Sequence, residues 1–209
     1  MPLSPELVSQ DRALVQIVDS ALADAARRSR SWLVCRPGCT QCCIGAFAIN
    51  QLDAVRLRQG LADLTKRDPE RAARVRLRAK AAVSRLSKAF PGNPQTGVLA
   101  GDEDSQERFA DFANDEPCPV LDSETGTCDL YEARPMTCRV FGPPVRSGGE
   151  GGLGVCELCF QGASAEEIAA CEMEVDPNDL EPTLLKRVEK ATGLSGTTIV
   201  AFCLGLETP

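Results

Sequence analysis

The sequence predicts a mainly α-helical protein, with helices packed around an irregular, loop-rich core of cysteines that a metal stabilises. Three observations support this fold class. Apolar residues recur at helical spacing in several segments, and residues that begin and end helices flank these segments. Aromatic residues make up only 4% of the chain, whereas 11 of its 209 residues are cysteines. Because aromatic packing is scarce, we expect metal binding to contribute to the free energy of folding.

A single domain is expected over residues 1–209, since this length suits one domain of ordinary size. Its successive segments are an N-terminal helix (1–34), a first cysteine loop (35–50), a helical insertion (51–92), an acidic connector (93–116), a second cysteine region (117–163) and C-terminal helices (164–209).

Periodicity and helix-capping residues define the helices of the first half. An apolar stripe predicts the first helix over residues 5–30. In the insertion, Asn50 is expected to cap a helix that runs to about residue 66. Asp68 is expected to cap the next helix, because Pro69 suits the first helical position, and Pro91 ends that helix.

The middle of the chain carries signals for loops rather than helices. The acidic connector is predicted to be mobile, with a short helical turn near Phe109 and Phe112, because Gly, Asn and Asp are frequent in it. Residues 117–160 contain Cys, Pro and Gly at close intervals, which predicts loops. Within them, Gly148–Gly154 is expected to be a flexible connection.

The C-terminal segment regains helical signals. Ser164 and Glu167 form a capping box, which predicts a helix that runs to about residue 173. A further helix is expected to begin at Glu181 and to end at Gly193. Residues 195–206 fit either a short helix or a strand.

The chain contains no histidine. Its absence excludes Ser-His-Asp and Cys-His catalysis, and it excludes zinc sites of the mixed Cys/His kind. Any metal must therefore be bound by sulfur or by carboxylates. The sequence contains no catalytic constellation that would identify an enzyme.

Charge and hydropathy bear on partners and location. The net charge of −7 argues against nucleic acid as a partner. Residues 1–10 lack a basic stretch followed by an apolar one, so no secretory signal is predicted, and no apolar run is long enough for a membrane helix. The predicted location is the cytoplasm. In that reducing compartment, clustered cysteines indicate metal binding rather than a disulfide framework.

Nine cysteines are candidate metal ligands, and they fall into two groups. Four lie within nine residues in the first loop, and five lie in the second cysteine region. The candidates are Cys35, Cys39, Cys42, Cys43, Cys118, Cys128, Cys138, Cys156 and Cys159. The remaining two, Cys171 and Cys203, lie in helix-like or apolar surroundings and are left out.

The spacing of the candidates leaves zinc and an iron–sulfur cluster open. Cys35 with Cys39 and Cys156 with Cys159 would suit two knuckles of a tetrahedral zinc site. The first loop together with Cys118, which precedes a proline, would suit a cluster of the 4Fe-4S kind, and the all-sulfur inventory favours iron–sulfur slightly.

Two of the candidates, Cys42 and Cys43, are adjacent in the chain. The side chains of consecutive residues are expected to diverge, so the pair should not chelate one ion together. Either they serve two metal centres, or one of them ligates and the other packs or reacts.

The order of the cysteine motifs is specific. The motifs are Cys39-Thr-Gln-Cys42-Cys43, then Pro117-Cys118-Pro119-Val-Leu121, then Cys128-Asp-Leu-Tyr131-Glu-Ala-Arg134-Pro135-Met-Thr-Cys138-Arg139. Over about residues 35–160 they resemble the YkgJ-type cysteine-cluster family, whose domain is described as zinc- or iron-chelating and also occurs in flagellin lysine N-methylases. The resemblance implies that the site includes Cys39, Cys42, Cys43, Cys118, Cys128 and Cys138, and Cys159 fits as well. This sequence differs from the compact members of the family in its helical insertion and in the additional Cys156.

Basic residues accompany the cysteines. Arg134 and Arg139 flank Cys138, where they would offset thiolate charge; alternatively, Arg134 pairs with a carboxylate such as Glu132 or Asp129. The basic helix over residues 66–88 could dock an acidic protein partner, although its arginines opposite the apolar stripe suit a solvated face. These arginines are Arg67, Arg71, Arg74, Arg78 and Arg85.

The predicted function is a metal-binding protein with an all-cysteine site in a structural or redox role. One alternative is a cluster-dependent oxidoreductase or protein-modifying enzyme in which a spare thiol, such as Cys43 or Cys156, reacts. A second alternative is a protein that handles zinc or copper(I), because soft thiolates bind both ions. The sequence leaves the oligomeric state open.

Overall fold

The computed structural model describes residues 3–146 and 153–206. Over these residues the chain forms eight α-helices and three two-stranded antiparallel hairpins, which confirms the mainly α class. It divides into two compact units. Unit 1 comprises the described part of Met1–Arg36 and Met136–Thr192, and unit 2 comprises Pro37–Pro135 and the described residues from Gly193 onward. The predicted single domain and the predicted stabilisation of the core by metal both stay predictions.

Unit 1 is built on a long N-terminal helix against which two later helices pack. Its elements are α1 (Pro5–Ser29), α5 (Met136–Val140), α6 (Ala165–Ala169), α7 (Leu180–Thr192) and the hairpin of β5 (Val145–Arg146) with β6 (Leu153–Gly154). Helix α1 packs against α5 and α7. Its bounds confirm the predicted first helix, and the Ser4 side chain accepts a hydrogen bond from the Leu7 amide at its start.

The capping box of unit 1 is confirmed. The Ser164 hydroxyl accepts a hydrogen bond from the Glu167 amide, and the Glu167 carboxylate accepts one from the Ser164 amide. Helix α6 ends at Ala169, several residues earlier than the sequence predicts. Most of the predicted flexible loop Gly148–Gly154 lies outside the described residues, and its last two residues belong to β6.

Unit 2 contains the helical insertion, the connector and the C-terminal helix. Its elements are α2 (Gln51–Arg67), α3 (Pro69–Leu86), α4 (Glu103–Ala110), α8 (Val200–Gly205), the hairpin of β1 (Gly92–Asn93) with β2 (Val98–Leu99), and the hairpin of β3 (Leu121–Asp122) with β4 (Thr127–Cys128). Helix α3 packs against α2 and α8, and the core between them includes Leu57, Val75 and Leu204.

Local signals in unit 2 were sufficient to position α2 and α3. The Asn50 and Asp68 side chains accept hydrogen bonds from the amides of Asp53 and Arg71, as N-caps do. The acidic connector is more regular than the sequence predicts, because it contains a hairpin and α4. Phe112 at its end packs against Phe90, with ring centroids 5.9 Å apart.

No helix among the described residues has both the length and the apolar character needed to cross a membrane.

Candidate metal centre

The nine candidate ligands are divided between the two units. Cys35, Cys138, Cys156 and Cys159 lie in unit 1, whereas Cys39, Cys42, Cys43, Cys118 and Cys128 lie in unit 2. All eleven cysteines are among the described residues, and the structure joins none of them by a disulfide. The thiols of each unit form a separate set.

A 3₁₀ turn and two backbone hydrogen bonds position the first loop of unit 2. The turn spans Gln41–Cys43, and the Cys43 amide donates to the Thr40 carbonyl oxygen at 2.8 Å. The Cys43 carbonyl oxygen accepts a hydrogen bond from the Cys118 amide, also at 2.8 Å. Residues 75 positions apart in the sequence, Cys43 and Cys118, are thus joined directly through their backbones.

The hairpin of β3 and β4 brings a further thiol to the same place. Cys128 pairs with Leu121, whose amide donates to the Cys118 carbonyl oxygen at 2.9 Å. The turn of the hairpin needs glycine, because Gly126 has φ of +67° and a Cβ atom there would lie 3.2 Å from the Gly38 Cα atom. Cys118 and Cys128 both pack against the core of unit 2.

The side chains of the adjacent cysteines lie close together, whereas the sequence predicts that they diverge. The Sγ atoms of Cys42 and Cys43 lie 4.0 Å apart, because the 3₁₀ turn brings the two side chains together. Two sulfurs bound to one tetrahedral zinc ion, with Zn–S bonds of about 2.3 Å, are roughly 3.8 Å apart. This separation is compatible with binding to a single ion.

The pKa values of four thiols in unit 2 are shifted by burial and by the neighbouring thiols. The hydrogen bond between Cys42 and Cys43 lowers the pKa of Cys42, although burial acts in the opposite direction. The same hydrogen bond raises the pKa of Cys43, and burial and the negative charges of Cys42, Cys118 and Cys128 raise it further. Burial raises the pKa of Cys118 to about 12, and burial also raises the pKa of Cys128. The four thiols therefore form one electrostatic group.

A buried carboxylate beside Cys128 anchors this group to α3. The Asp129 side chain is only 2% exposed, and it accepts hydrogen bonds from Arg71 and Arg78. Arg78 also donates from Nε to the Pro119 carbonyl oxygen at 2.8 Å. The predicted solvated face of α3 is therefore wrong for Arg71 and Arg78. They were misassigned because their carboxylate partner lies more than fifty residues away in the chain.

Of the two arginines near Cys138, one lies beside the thiol group of unit 2. The Arg134 guanidinium stacks over the Tyr131 ring, 3.9 Å from its centroid, and its positive charge lowers the pKa of Cys42 and of Cys128. Arg139 belongs to unit 1, is 1% exposed and donates to both Asp19 carboxylate oxygens at 2.8 Å. Of the two arginines, Arg134 is therefore the one whose charge acts on thiols of unit 2.

The remaining cysteines occupy different environments. In unit 1, Cys35 is exposed and Cys138 lies half-buried on α5. Cys156 and Cys159 are buried in one cluster with Cys171, which is not among the candidate ligands because its sequence surroundings are helix-like. Cys203 lies in the core of unit 2, its thiol donates to the Ala54 carbonyl oxygen, and burial raises its pKa to about 12.

Across residues 3–146 and 153–206, no three Cys, Asp or Glu side chains are already arranged to hold a metal ion. The chemistry of the donors nevertheless suits a soft metal, because Cys42, Cys43, Cys118 and Cys128 supply sulfur ligands within one electrostatic group. Binding would draw the thiolates together, as is common for sites that form only with their metal.

Comparison with known proteins identifies the cysteine motifs. A family model described as CxxCxxCC, putative zinc- or iron-chelating domain, matches residues 34–145. The match includes all the candidate ligands of unit 2 together with Cys35 and Cys138, and it ends before Cys156. No curated protein and no solved structure is significantly similar to the chain. The match confirms the cysteine-cluster family to which the motifs point.

Proposed function

The chain belongs to the CxxCxxCC family, and on that basis we propose that unit 2 binds one zinc ion through the thiolates of Cys42, Cys43, Cys118 and Cys128. The observation that carries the proposal is the 4.0 Å separation between the Sγ atoms of Cys42 and Cys43. It matches the roughly 3.8 Å between two sulfurs on one tetrahedral ion. In a 4Fe-4S cluster each cysteine ligates a different iron, so the sulfurs of two ligands lie farther apart.

The other two ligands follow from the backbone and from charge. Cys118 is hydrogen-bonded to the Cys43 backbone, and Cys128 is linked to Cys118 through Leu121. Four thiolates around Zn²⁺ leave a net charge of −2, which the nearby Arg134 guanidinium reduces. Four cysteine ligands would leave no open position on the zinc ion for water or substrate, so we infer a structural role for it. It ties the 3₁₀ turn to the β3–β4 hairpin. Thiolates of this kind persist in a reducing compartment, so we expect the protein in the cytoplasm.

An iron–sulfur cluster is the second candidate. One observation favours it: Cys118 is followed by Pro119 and comes from a segment remote from the C-x₂-C-C loop, as in the cysteine arrangement of cluster proteins. A cluster would add a redox role, and it would make the chain a candidate oxidoreductase.

Metal analysis after anaerobic purification distinguishes the two. We expect a colourless protein that carries zinc, and we expect Cys118→Ala to lose one equivalent of it. A brown protein with about four irons and four acid-labile sulfides per chain would show that the site holds an iron–sulfur cluster instead of zinc. Absence of both metals would overturn metal binding in unit 2.

A further inference from the structure

Unit 1 contains a second group of buried cysteines outside the site described above. Cys156, Cys159 and Cys171 are 6%, 3% and 5% exposed, and together with Phe160 they form one buried cluster. Trp32, Leu33, Ala163 and Ile168 pack against this cluster. Three of its four buried members are therefore thiols, and each is a potential metal ligand once it is deprotonated.

The local backbone brings two of these thiols together. The Cys159 amide donates to the Cys156 carbonyl oxygen at 2.8 Å, which closes a tight turn over the C-x₂-C segment. Phe160, directly after the turn, has φ of +58°, a conformation that is costly for a bulky residue. Its amide is held by the Trp32 carbonyl oxygen at 2.9 Å. Strain of this kind is concentrated at sites where a ligand is held.

A fourth thiol, that of Cys35, lies close to Gly142 in the same unit. A Cβ atom at Gly142 would lie 3.0 Å from the Cys35 Sγ atom, and φ at this glycine is +124°. The Gly142 carbonyl oxygen accepts a hydrogen bond from the Cys156 amide at 3.4 Å. The loop at Gly142 thus contacts both Cys35 and the segment that carries Cys156.

An arginine holds the backbone on both sides of the third thiol of the cluster. The Arg28 guanidinium donates to the carbonyl oxygens of Ala170 and Glu172, the two neighbours of Cys171, at 2.6 and 2.9 Å. These two hydrogen bonds fix the backbone around Cys171, so its thiol keeps its place in the cluster.

We propose that unit 1 holds a second, separate zinc site formed by Cys35, Cys156, Cys159 and Cys171. The four thiols release four protons as they bind Zn²⁺, so the bound site carries a net charge of −2. This site does not depend on the zinc proposed in unit 2, because no ligand is shared. Three of its four ligands also lie beyond the residues that the family model matches.

Zinc content measured on three variants tests the second site. We expect two equivalents of zinc in the unaltered protein and one in Cys171→Ala. Cys203→Ala, the matched control, should keep both, because Cys203 packs in the core of unit 2. Full zinc content in Cys171→Ala overturns the second site even where Cys118→Ala loses an equivalent. Loss in Cys171→Ala but not in Cys118→Ala overturns the unit 2 site instead.

Alkylation of the unaltered protein tests the same inference without a substitution that could prevent folding. In the zinc-loaded protein, all four thiols should resist the reagent, and a strong chelator should raise the alkylation of Cys35 at least tenfold while the helical circular dichroism is retained. Cys35 is the most informative, because it is exposed and burial alone cannot protect it. Rapid alkylation of Cys35 in the loaded protein, or a Cys156–Cys159 disulfide under native conditions, overturns the site.

Discussion

Arg78 donates a hydrogen bond to Asp129 and, from Nε, another to the Pro119 carbonyl oxygen at 2.8 Å. Asp129 directly follows Cys128, and Pro119 directly follows Cys118, so one guanidinium fixes the backbone beside two proposed zinc ligands. Arg71 binds the other carboxylate oxygen of Asp129. Helix α3 of the insertion therefore serves to hold the second cysteine segment of unit 2 in place.

We expect Asp129→Asn to lower both stability and zinc affinity. The amide leaves Arg71 and Arg78 without the carboxylate that pairs with them. Because both guanidinium groups are about one third exposed, we expect the loss to cost about 1–3 kcal/mol. The free energy of unfolding, measured with denaturant on the chelated protein, checks this loss. Asp115→Asn, at an exposed position, is the matched control. Equal stability of the two variants would show that the pairing with α3 does not stabilise unit 2.

Replacing a proposed ligand should separate metal binding from packing. We expect Cys118→Ala to weaken zinc binding by more than about 100-fold, because even changes at groups that only support the ligands cost 10- to 100-fold. Cys203→Ala should leave zinc affinity unchanged and cost about 1 kcal/mol of stability, since it removes a small buried side chain. Competition with a chromophoric chelator measures the affinity. Equal affinities in the two variants would remove Cys118 from the ligand set.

The metal-free protein should lose stability as the pH rises above 9. Burial raises the pKa of Cys118 and of Cys203 from 9.0 to about 12. Below pH 9 both thiols are protonated in the folded and unfolded states, so their contribution to stability is complete. Between pH 9 and 12 the unfolded chain releases these protons while the folded chain keeps them, so unfolding becomes more favourable.

Urea midpoints of the chelated protein at pH 8 and pH 10 measure this effect. We expect a lower midpoint at pH 10, and a smaller difference between the two pH values in Cys203→Ala. A midpoint that does not change in the unaltered protein would contradict the assigned burial of the two thiols.

Arg134 is expected to strengthen metal binding through its charge. Its guanidinium lowers the pKa of Cys42 and Cys128, so it favours the thiolate forms that bind zinc. Arg134→Gln should weaken zinc binding by about 10-fold at pH 7. Arg108→Gln on α4 is the matched control. Binding as tight in Arg134→Gln as in the control would mean that the charge of Arg134 does not contribute to zinc binding.

The parts of the structure that depend on neighbouring residues could be predicted from the sequence, and the parts that depend on distant ones could not. The caps at Asn50, Asp68 and Ser164 act within three residues, so the sequence predicted the starts of their helices. The cysteine motifs likewise identified the family. In contrast, the partner of Arg78 lies 51 residues away, and the burial of Cys171 beside Cys156 arises only once unit 1 has folded. The close approach of Cys42 and Cys43 depends on a 3₁₀ turn, and no capping residue in the sequence predicts this turn.

Helix α2 contacts the segment that carries Arg134 at a position where only glycine fits. A Cβ atom at Gly60 would lie 2.3 Å from the Ala133 Cβ atom, far closer than two carbons can approach. We therefore expect Gly60→Ala to destabilise unit 2 by about 1–3 kcal/mol, even though alanine is the better helix former. The double variant Gly60→Ala/Ala133→Gly removes the clash, because the next nearest atoms are 3.8 and 3.9 Å away, and it should recover most of the loss. Free energies of unfolding for the two single variants and the double variant form a thermodynamic cycle. Additive effects would show that the two residues are not in contact, whereas recovery in the double variant would establish that α2 sets the position of the turn before Arg134.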